Sequence, residues 1–256
     1  MTRPPRRDPR GLARAWRWTE WAILYLLLPA LIAAAVDPAA RLHAVMHAIG
    51  LDPVLHIAEK PGRLIFPLLL GTTAIIIAAL LLDRSFDKSQ LWGFQRTRRD
   101  MPRVLIFFPA NAALLTAAAW WLATQTPVLP DDAFFRLPRE RPDLMILICV
   151  FYPVFSAYPQ EITHRVFYFH RYQCLFPNPT AMLVVNAMCF SWMHALFWNP
   201  YALGLTLAGG LLFAWTYQRT RAALAAGIEH AIYGLWTFAT GLGWFVYAGS
   251  IGSPPP

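Results

Sequence analysis

The sequence predicts an all-α protein, a polytopic membrane helical bundle of seven to eight transmembrane helices. Of its 256 residues, 57% are hydrophobic and only 14% are charged, whereas soluble domains carry about 25% charged residues. Residues 64–82 and 104–123 contain no charged side chain. Each stretch is long enough, as a helix, to cross a bilayer core of about 30 Å. Both therefore predict transmembrane helices.

The remaining apolar stretches are interrupted more often by polar residues, and they complete the predicted bundle. A last stretch, residues 242–251, is too short to cross a bilayer alone and is predicted to lie at the interface or to re-enter. The other predicted spans are 21–36, 144–157, 180–198, 202–217 and 222–240.

Three regions follow from this pattern of spans and charges. Residues 1–17 are predicted to be a basic cytoplasmic tail, residues 18–143 the N-terminal transmembrane helices, and residues 144–250 a C-terminal core. The three cysteines lie in or beside apolar segments without the spacing of metal ligands, so they are interpreted as small buried hydrophobic side chains.

The distribution of Lys and Arg predicts that the N-terminus is cytoplasmic. In that orientation sixteen of the 22 basic residues lie on the cytoplasmic side and six on the other side, in agreement with the positive-inside rule. Basic loops that face anionic lipid also explain the net charge of +8, so no nucleic-acid partner is expected. We expect an integral protein of a bacterial inner (plasma) membrane, with the lipid bilayer as a partner.

The stretch YPQEITHRVFYFHRYQ, residues 158–173, concentrates ionisable side chains within this apolar chain. Pro159 is suited to the first position of a helix, where its missing N–H would be unpaired anyway. On such a helix Glu161 and Arg165 are i,i+4 neighbours, as are Gln160 and His164. The sequence therefore predicts a carboxylate–guanidinium pair at the membrane. A salt bridge that only anchors a helix end is the simpler alternative.

Two more polar interruptions occur further along the chain. His194 lies within the predicted span 180–198, and Glu229 and His230 lie within the span 222–240. Ionisable groups inside membrane spans are costly and usually face a cavity or one another. We therefore expect Glu161, His194 and His230 to converge on one cavity, within reach of a shared water.

One carboxylate and two imidazoles in a membrane cavity suit hydrolysis by an activated water. The sequence contains neither a GxSxG nucleophile motif nor an HExxH zinc motif. Residue types alone leave open a zinc site at Glu161, His194 and His230. A proton-coupled transporter would use similar residues, but the chain lacks the paired broken helices of an inverted repeat.

At these residues the sequence resembles the CAAX-processing and bacteriocin-immunity-type (abortive-infection-like) intramembrane endopeptidases. The family pattern is EExxxR, FxxxH and HxxxN or HxxxD on successive helices. Here QEITHR (160–165) matches the first motif with Gln160 for its first glutamate, and FSWMH (190–194) matches the second. HAIYG (230–234) matches the third at His230, with Gly234 in the Asn or Asp position. The resemblance makes residues 144–250 a family-like catalytic core.

The resemblance implies an intramembrane glutamic-type endopeptidase whose site opens to the cytoplasm and which cleaves membrane-associated, CAAX-like peptides. By position, His194 would help to activate water and His230 would stabilise the oxyanion. Since Gln160 cannot act as a base, Glu161 would take that role, with Gln160, Arg165 and Phe190 in support. No metal or other cofactor is expected.

In a second interpretation the chain resembles the family but does not catalyse its reaction. Gln160 and Gly234 replace two family side chains, so the chain can also be interpreted as a catalytically inactive member that binds or positions membrane partners. The sequence indicates no oligomeric state.

Overall fold

The computed structural model describes residues 11–130 and 132–247. Within them every regular element is a helix, which confirms the predicted all-α class. Residues 1–10 of the predicted tail and residues 248–250 of the predicted core lie outside the described part. The helices are α1 (Leu12–Ala35), α2 (His43–Ala48), α3 (Asp52–Ala58), α4 (Pro61–Leu82), α5 (Phe94–Gln125), α6 (Arg136–Glu140), α7 (Pro142–Leu175), α8 (Pro179–Met193), α9 (Pro200–Thr220) and α10 (Ala223–Thr240).

Five segments of the described chain are long and apolar enough to cross a membrane. Helices α9 and α10 have 21 and 18 residues but are not among these five. The predicted count of seven to eight spans and the cytoplasmic N-terminus therefore stay predictions. The five segments are Leu12–Ala35, Leu64–Leu82, Lys88–Gln125, Pro142–Leu175 and Pro179–Phe197.

Helix α7 is longer than the sequence predicts. Pro159 does not begin a new helix; it lies inside one helix that runs from Pro142 to Leu175. Two π-helical turns, Pro153–Ala157 and Ile162–Phe167, lie on either side of Pro159. Their wider i→i+5 hydrogen bonding shifts the register of the backbone hydrogen bonds. The helix can therefore continue past its proline residues, which have no backbone N–H to donate. Both halves of the polar stretch consequently belong to one rigid element.

Helix α10 lies at the centre of the bundle, in contact with α5, α7 and α9. Its first half is built from small buried residues, among them Ala223, Ala226 and Gly227. Small side chains allow helix backbones to approach closely in a membrane protein. At Gly227 an added Cβ would lie 3.0 Å from the ring of Tyr158, so α7 and α10 pack without room for a larger residue. This packing fixes where the polar residues of α10 point.

Candidate active site

A large, mainly apolar cavity of about 1260 Å³ lies between α1, α4, α5, α7, α8, α9 and α10. The lining residues of α7 recur at helical spacing and form one stripe along its face. The stripe begins beside Arg136 and Arg141 and ends at a polar group formed by Gln160, His194 and His230. Up to this group the stripe comprises Leu144, Leu147, Ile148, Phe151, Tyr152, Phe155, Ser156 and Gln160, and Thr163 and His164 of α7 also line the cavity.

Glu161 is fully buried and lies directly against His230. Its Oε1 atom is 2.9 Å from His230 Nδ1, and its side chain has 0% exposure. A carboxylate can only accept a hydrogen bond, so Nδ1 carries the imidazole proton. In the neutral ring the other nitrogen, Nε2, is then left as an acceptor. His230 also lines the cavity. The carboxylate of Glu161 therefore holds in one tautomer an imidazole that faces the cavity.

Arg165 completes the buried charge group on α7. Its Nε atom is 3.4 Å from Glu161 Oε2, and both side chains have 0% exposure. The guanidinium lies over the ring of Phe190, with Cζ 4.6 Å from the ring centroid. The predicted i,i+4 carboxylate–guanidinium pair is therefore present. The guanidinium of Arg165 places a counter-charge beside Glu161, which offsets part of the cost of burying the carboxylate.

Phe190, of the FxxxH motif, is the packing centre of the site. Its ring centroid lies 4.7 Å from that of His194, 5.6 Å from that of His230 and 5.3 Å from that of His164. It is almost fully buried. One aromatic ring thus contacts three imidazoles, which explains why a large flat side chain suits this position.

His194 is held by the end of its own helix. Helix α8 ends at Met193, and a 3₁₀ turn, His194–Phe197, follows. The Nδ1–H group of His194 donates to the carbonyl oxygen of Phe190 at 2.7 Å, because a carbonyl only accepts. His194 therefore presents Nε2 as an acceptor, as His230 does, and it lines the same cavity.

Gln160 lines the cavity wall beside these imidazoles. Its Nε2 atom donates to Ser156 Oγ at 3.0 Å. Its Oε1 atom is buried and has no hydrogen-bond partner within the described ranges. A buried unpaired amide oxygen is costly, so this atom is suited to accept from a water or from a substrate N–H.

The structure thus brings the predicted residues together in two layers. His194, His230 and Gln160 line the cavity, whereas Glu161 lies behind His230 and has no exposed surface. The sequence did not single out His164 as a site residue, although it lies on α7 one turn after Gln160. It also lines the cavity, and its Nε2 atom is buried without a partner in the described chain.

Glu229, although adjacent to His230, belongs to a different cluster. It is fully buried, accepts from the Thr216 hydroxyl and lies 3.3 Å from Arg103 Nη2. Arg103 is also bound to Asp100 at 2.8 Å. Successive residues of a helix point in directions about 100° apart, so one dipeptide contributes to two separate polar groups. The sequence could not show this division.

Glu161, His194 and His230, which the residue types left open as zinc ligands, are not grouped as a ligand set among the described residues. In the part of the chain that the structure describes, no three His, Cys, Asp or Glu side chains are grouped as a metal site. Glu161 Oε1 faces His230 Nδ1, and the Phe190 ring contacts the imidazoles of both His194 and His230. A tetrahedral zinc site needs its ligands around one point, and the described residues show no such group; the absence of bound zinc stays a prediction.

Purified protein is expected to contain zinc well below one ion per chain. The reason is that the guanidinium of Arg165 lies 3.4 Å from Glu161 Oε2 and would repel a metal cation at that oxygen. Elemental analysis by mass spectrometry checks the content, with His194→Ala protein as the control for adventitious binding. Stoichiometric zinc that disappears in this variant would contradict the expectation.

A comparison with protein-family models identifies the C-terminal part of the chain. Residues 142–251 match the model described as type II CAAX prenyl endopeptidase Rce1-like. This region is similar to the Rce1-like family. The match confirms the resemblance that three short motifs predicted, and it spans α7 to α10, which carry the polar group. No curated protein and no solved structure matches the chain.

The five apolar helices make the chain an integral membrane protein, and its residues 142–251 are similar to a family of prenyl endopeptidases. The Rce1-like region contributes Gln160, His194 and His230 to the cavity. The N-terminal region contributes α1, α4 and α5 to the same wall. The cavity is therefore shared between the matched region and the helices before it.

Proposed function

We propose that the chain is an intramembrane endopeptidase that cleaves membrane-associated, CAAX-like peptides with an activated water. One observation carries the proposal. At the polar end of a mainly apolar cavity, His194 and His230 both have Nδ1 engaged, and both keep Nε2 free to accept a proton. Two acceptor imidazoles that face a common space form a site for a water nucleophile.

The proposed reaction needs only side chains of this chain. The Nε2 atom of one imidazole takes a proton from water, and the resulting hydroxide adds to the scissile carbonyl carbon. The protonated imidazole then returns that proton to the leaving amine as the C–N bond breaks, so the enzyme ends in its starting state. Gln160 Oε1 accepts a hydrogen bond from the water and orients it.

Glu161 takes a different role in this proposal from the one its sequence position suggests. It acts as a positioning residue: its carboxylate fixes the tautomer of His230 and stabilises the imidazolium that forms when His230 accepts a proton. Full burial against His230 and Arg165 supports this role, because a base that removes a proton from water must reach that water.

The substrate class follows from the rest of the cavity. Its apolar stripe on α7 faces apolar residues of α1 and α4, and such walls bind apolar chains by excluding water. We propose a lipidated or membrane-embedded peptide whose scissile bond reaches the polar end. The distribution of Lys and Arg supports a site that faces the cytoplasm, and we propose a bacterial inner membrane as its location.

The proposal is tested by cleavage of a library of prenylated and unprenylated CAAX-like peptides by the full chain in lipid nanodiscs. Replacing His194 by alanine is expected to lower kcat by about 10²–10⁴-fold, the usual contribution of a general base. His56→Ala is the matched control, because His56 is strongly exposed on another helix. Wild-type cleavage that survives His194→Ala would refute the proposed site.

One observation favours the second candidate function, an inactive relative that binds membrane partners in the same cavity. Gln160 lines the wall where the family motif has its first glutamate, and an amide cannot take a proton at neutral pH. Such a protein would bind lipidated peptides without releasing a cleaved product.

Gln160→Glu separates the two functions. In an active protein with imidazole bases, the added carboxylate lies beside Glu161 and should change kcat by no more than about tenfold, because the bases remain in place. In an inactive relative it should create cleavage that the wild type lacks. We expect the first result, measured as product formation by mass spectrometry, with Gln125→Glu as a control at the end of α5.

A further inference from the structure

Gly234 faces the cavity one turn after His230 on α10. Residues four apart lie on the same face of a helix, so a side chain at position 234 would lie next to the imidazole. The space it would need is already filled. A Cβ added at Gly234 would overlap the Oη, Cε1 and Cζ atoms of Tyr152 from α7.

Tyr152 therefore brings a phenol hydroxyl to the point that Gly234 leaves open. Its ring lies 6.0 Å from that of His230, at an interplanar angle of 79°, and it lines the cavity. It lies on the same stripe of α7 as Gln160, two turns earlier. Within residues 11–130 and 132–247 the structure gives this hydroxyl no hydrogen-bond partner.

Addition of hydroxide to a peptide carbonyl creates a negative oxygen that needs a hydrogen-bond donor nearby. The nearest imidazoles cannot supply one in the resting state. The Nδ1–H groups of His194 and His230 are directed to Phe190 and Glu161, and both Nε2 atoms are acceptors. The side-chain N–H₂ group of Gln160 is directed to Ser156. A phenol hydroxyl beside His230 is a donor that remains free.

We propose that Tyr152 is a further catalytic residue. Its hydroxyl occupies the space that Gly234 leaves open and donates a hydrogen bond to the oxyanion. The inference rests on the proposed endopeptidase function and adds a residue to it. The close fit between Tyr152 and Gly234 makes the two positions interdependent. A side chain at position 234 and a phenol at position 152 exclude each other.

The first test replaces Tyr152 by phenylalanine in the full chain in nanodiscs. Loss of one oxyanion donor lowers kcat by about 10²–10³-fold, while KM for the same peptide changes little because the ring is kept. Tyr201→Phe is the control: it removes a hydroxyl from a ring that stacks on Phe245 and should leave kcat at the wild-type value. Thermal unfolding curves establish that each variant is folded.

The second test uses the interdependence of the two positions. Gly234→Asn alone should lower activity, because the new side chain collides with Tyr152. Tyr152→Ala alone should also lower it, because the donor is lost. The double variant Tyr152→Ala/Gly234→Asn has room for an amide N–H₂ donor and should be more active than either single variant, a coupling that unrelated sites do not show.

The outcomes separate this inference from the function on which it rests. Wild-type protein that cleaves no peptide would overturn both. Wild-type protein that cleaves, together with a Tyr152→Phe variant of unchanged kcat, would overturn the role of Tyr152 alone. A double variant no more active than Tyr152→Ala would overturn the inference that an amide donor at position 234 can replace the phenol donor at position 152.

Discussion

Replacing Glu161 by glutamine is expected to lower kcat by about 10²–10⁴-fold, with little change in KM. An amide is uncharged and can present its N–H₂ group to His230 Nδ1, so the imidazole loses both its fixed tautomer and the stabilisation of its protonated form. Glu161 is buried behind His230 and is not among the residues that line the cavity, which is why KM is expected to stay close to the wild-type value. Steady-state cleavage of one peptide at several concentrations gives both constants.

Loss of folding would also lower kcat, and a double variant separates this cause from the loss of a catalytic contribution. Glu161→Gln leaves the buried Arg165 without its counter-charge, and breaking a buried pair costs about 3–5 kcal/mol. The double variant Glu161→Gln/Arg165→Met removes both charges, so it should regain much of the stability but none of the activity. If this stable double variant cleaves at the wild-type rate, Glu161 has no role in catalysis.

Glu59→Gln is the matched control for the Glu161 variants. Glu59 contacts the Nδ1 atom of His56 at 3.2 Å, so it forms the same kind of carboxylate–imidazole contact, but both side chains are exposed. Exposed pairs contribute less than about 1 kcal/mol. We therefore expect Glu59→Gln to change neither kcat nor the unfolding temperature.

The class of the protein was predictable because a membrane imposes a strong and simple pattern. Long uncharged stretches such as residues 64–82 are typical of membrane spans, and α4 ends at Leu82 as that stretch does. Helix α7 was not predictable in the same way. Pro159 is a local signal for a helix start, whereas the continuous helix depends on π turns that the residue pattern does not reveal.

The candidate site was partly predictable for a related reason. Ionisable residues are rare enough inside apolar segments that Glu161, His194 and His230 stood out, and the contact between Glu161 and His230 joins residues 69 positions apart. Which of them faces the cavity depends on helix rotation, which only packing fixes. Tyr152 gave no signal, since an aromatic residue in an apolar stretch usually serves packing alone.

A second buried charge cluster joins α5, α9 and α10 and is expected to support the fold without a direct part in catalysis. Arg103 lies at its centre: its Nη2 atom is 2.8 Å from Asp100 and 3.3 Å from Glu229, and the side chain is 12% exposed. Glu229 is fully buried, and Thr216 donates to it. The ring of Trp215 lies 4.6 Å from Arg103 Cζ.

Arg103→Met is expected to lower the free energy of unfolding by about 3–5 kcal/mol, because it leaves the carboxylate of Glu229 buried and without a counter-charge. The double variant Arg103→Met/Glu229→Gln removes that charge as well and should recover most of the loss, which a double-mutant cycle measures as coupling. Unfolding by denaturant in mild detergent provides the free energies.

Arg219→Met provides the comparison that isolates burial. Arg219 binds the same Asp100 at 3.3 Å but is half exposed, and its Cζ atom lies 5.0 Å from the same Trp215 ring. Since an exposed ion pair is worth less than about 1 kcal/mol, this variant should unfold close to the wild type. Equal losses in Arg103→Met and Arg219→Met would show that the buried Glu229 does not depend on Arg103. The central helix α10 would then be held in place by its apolar packing, and the orientation of His230 would owe nothing to the charge cluster beside it.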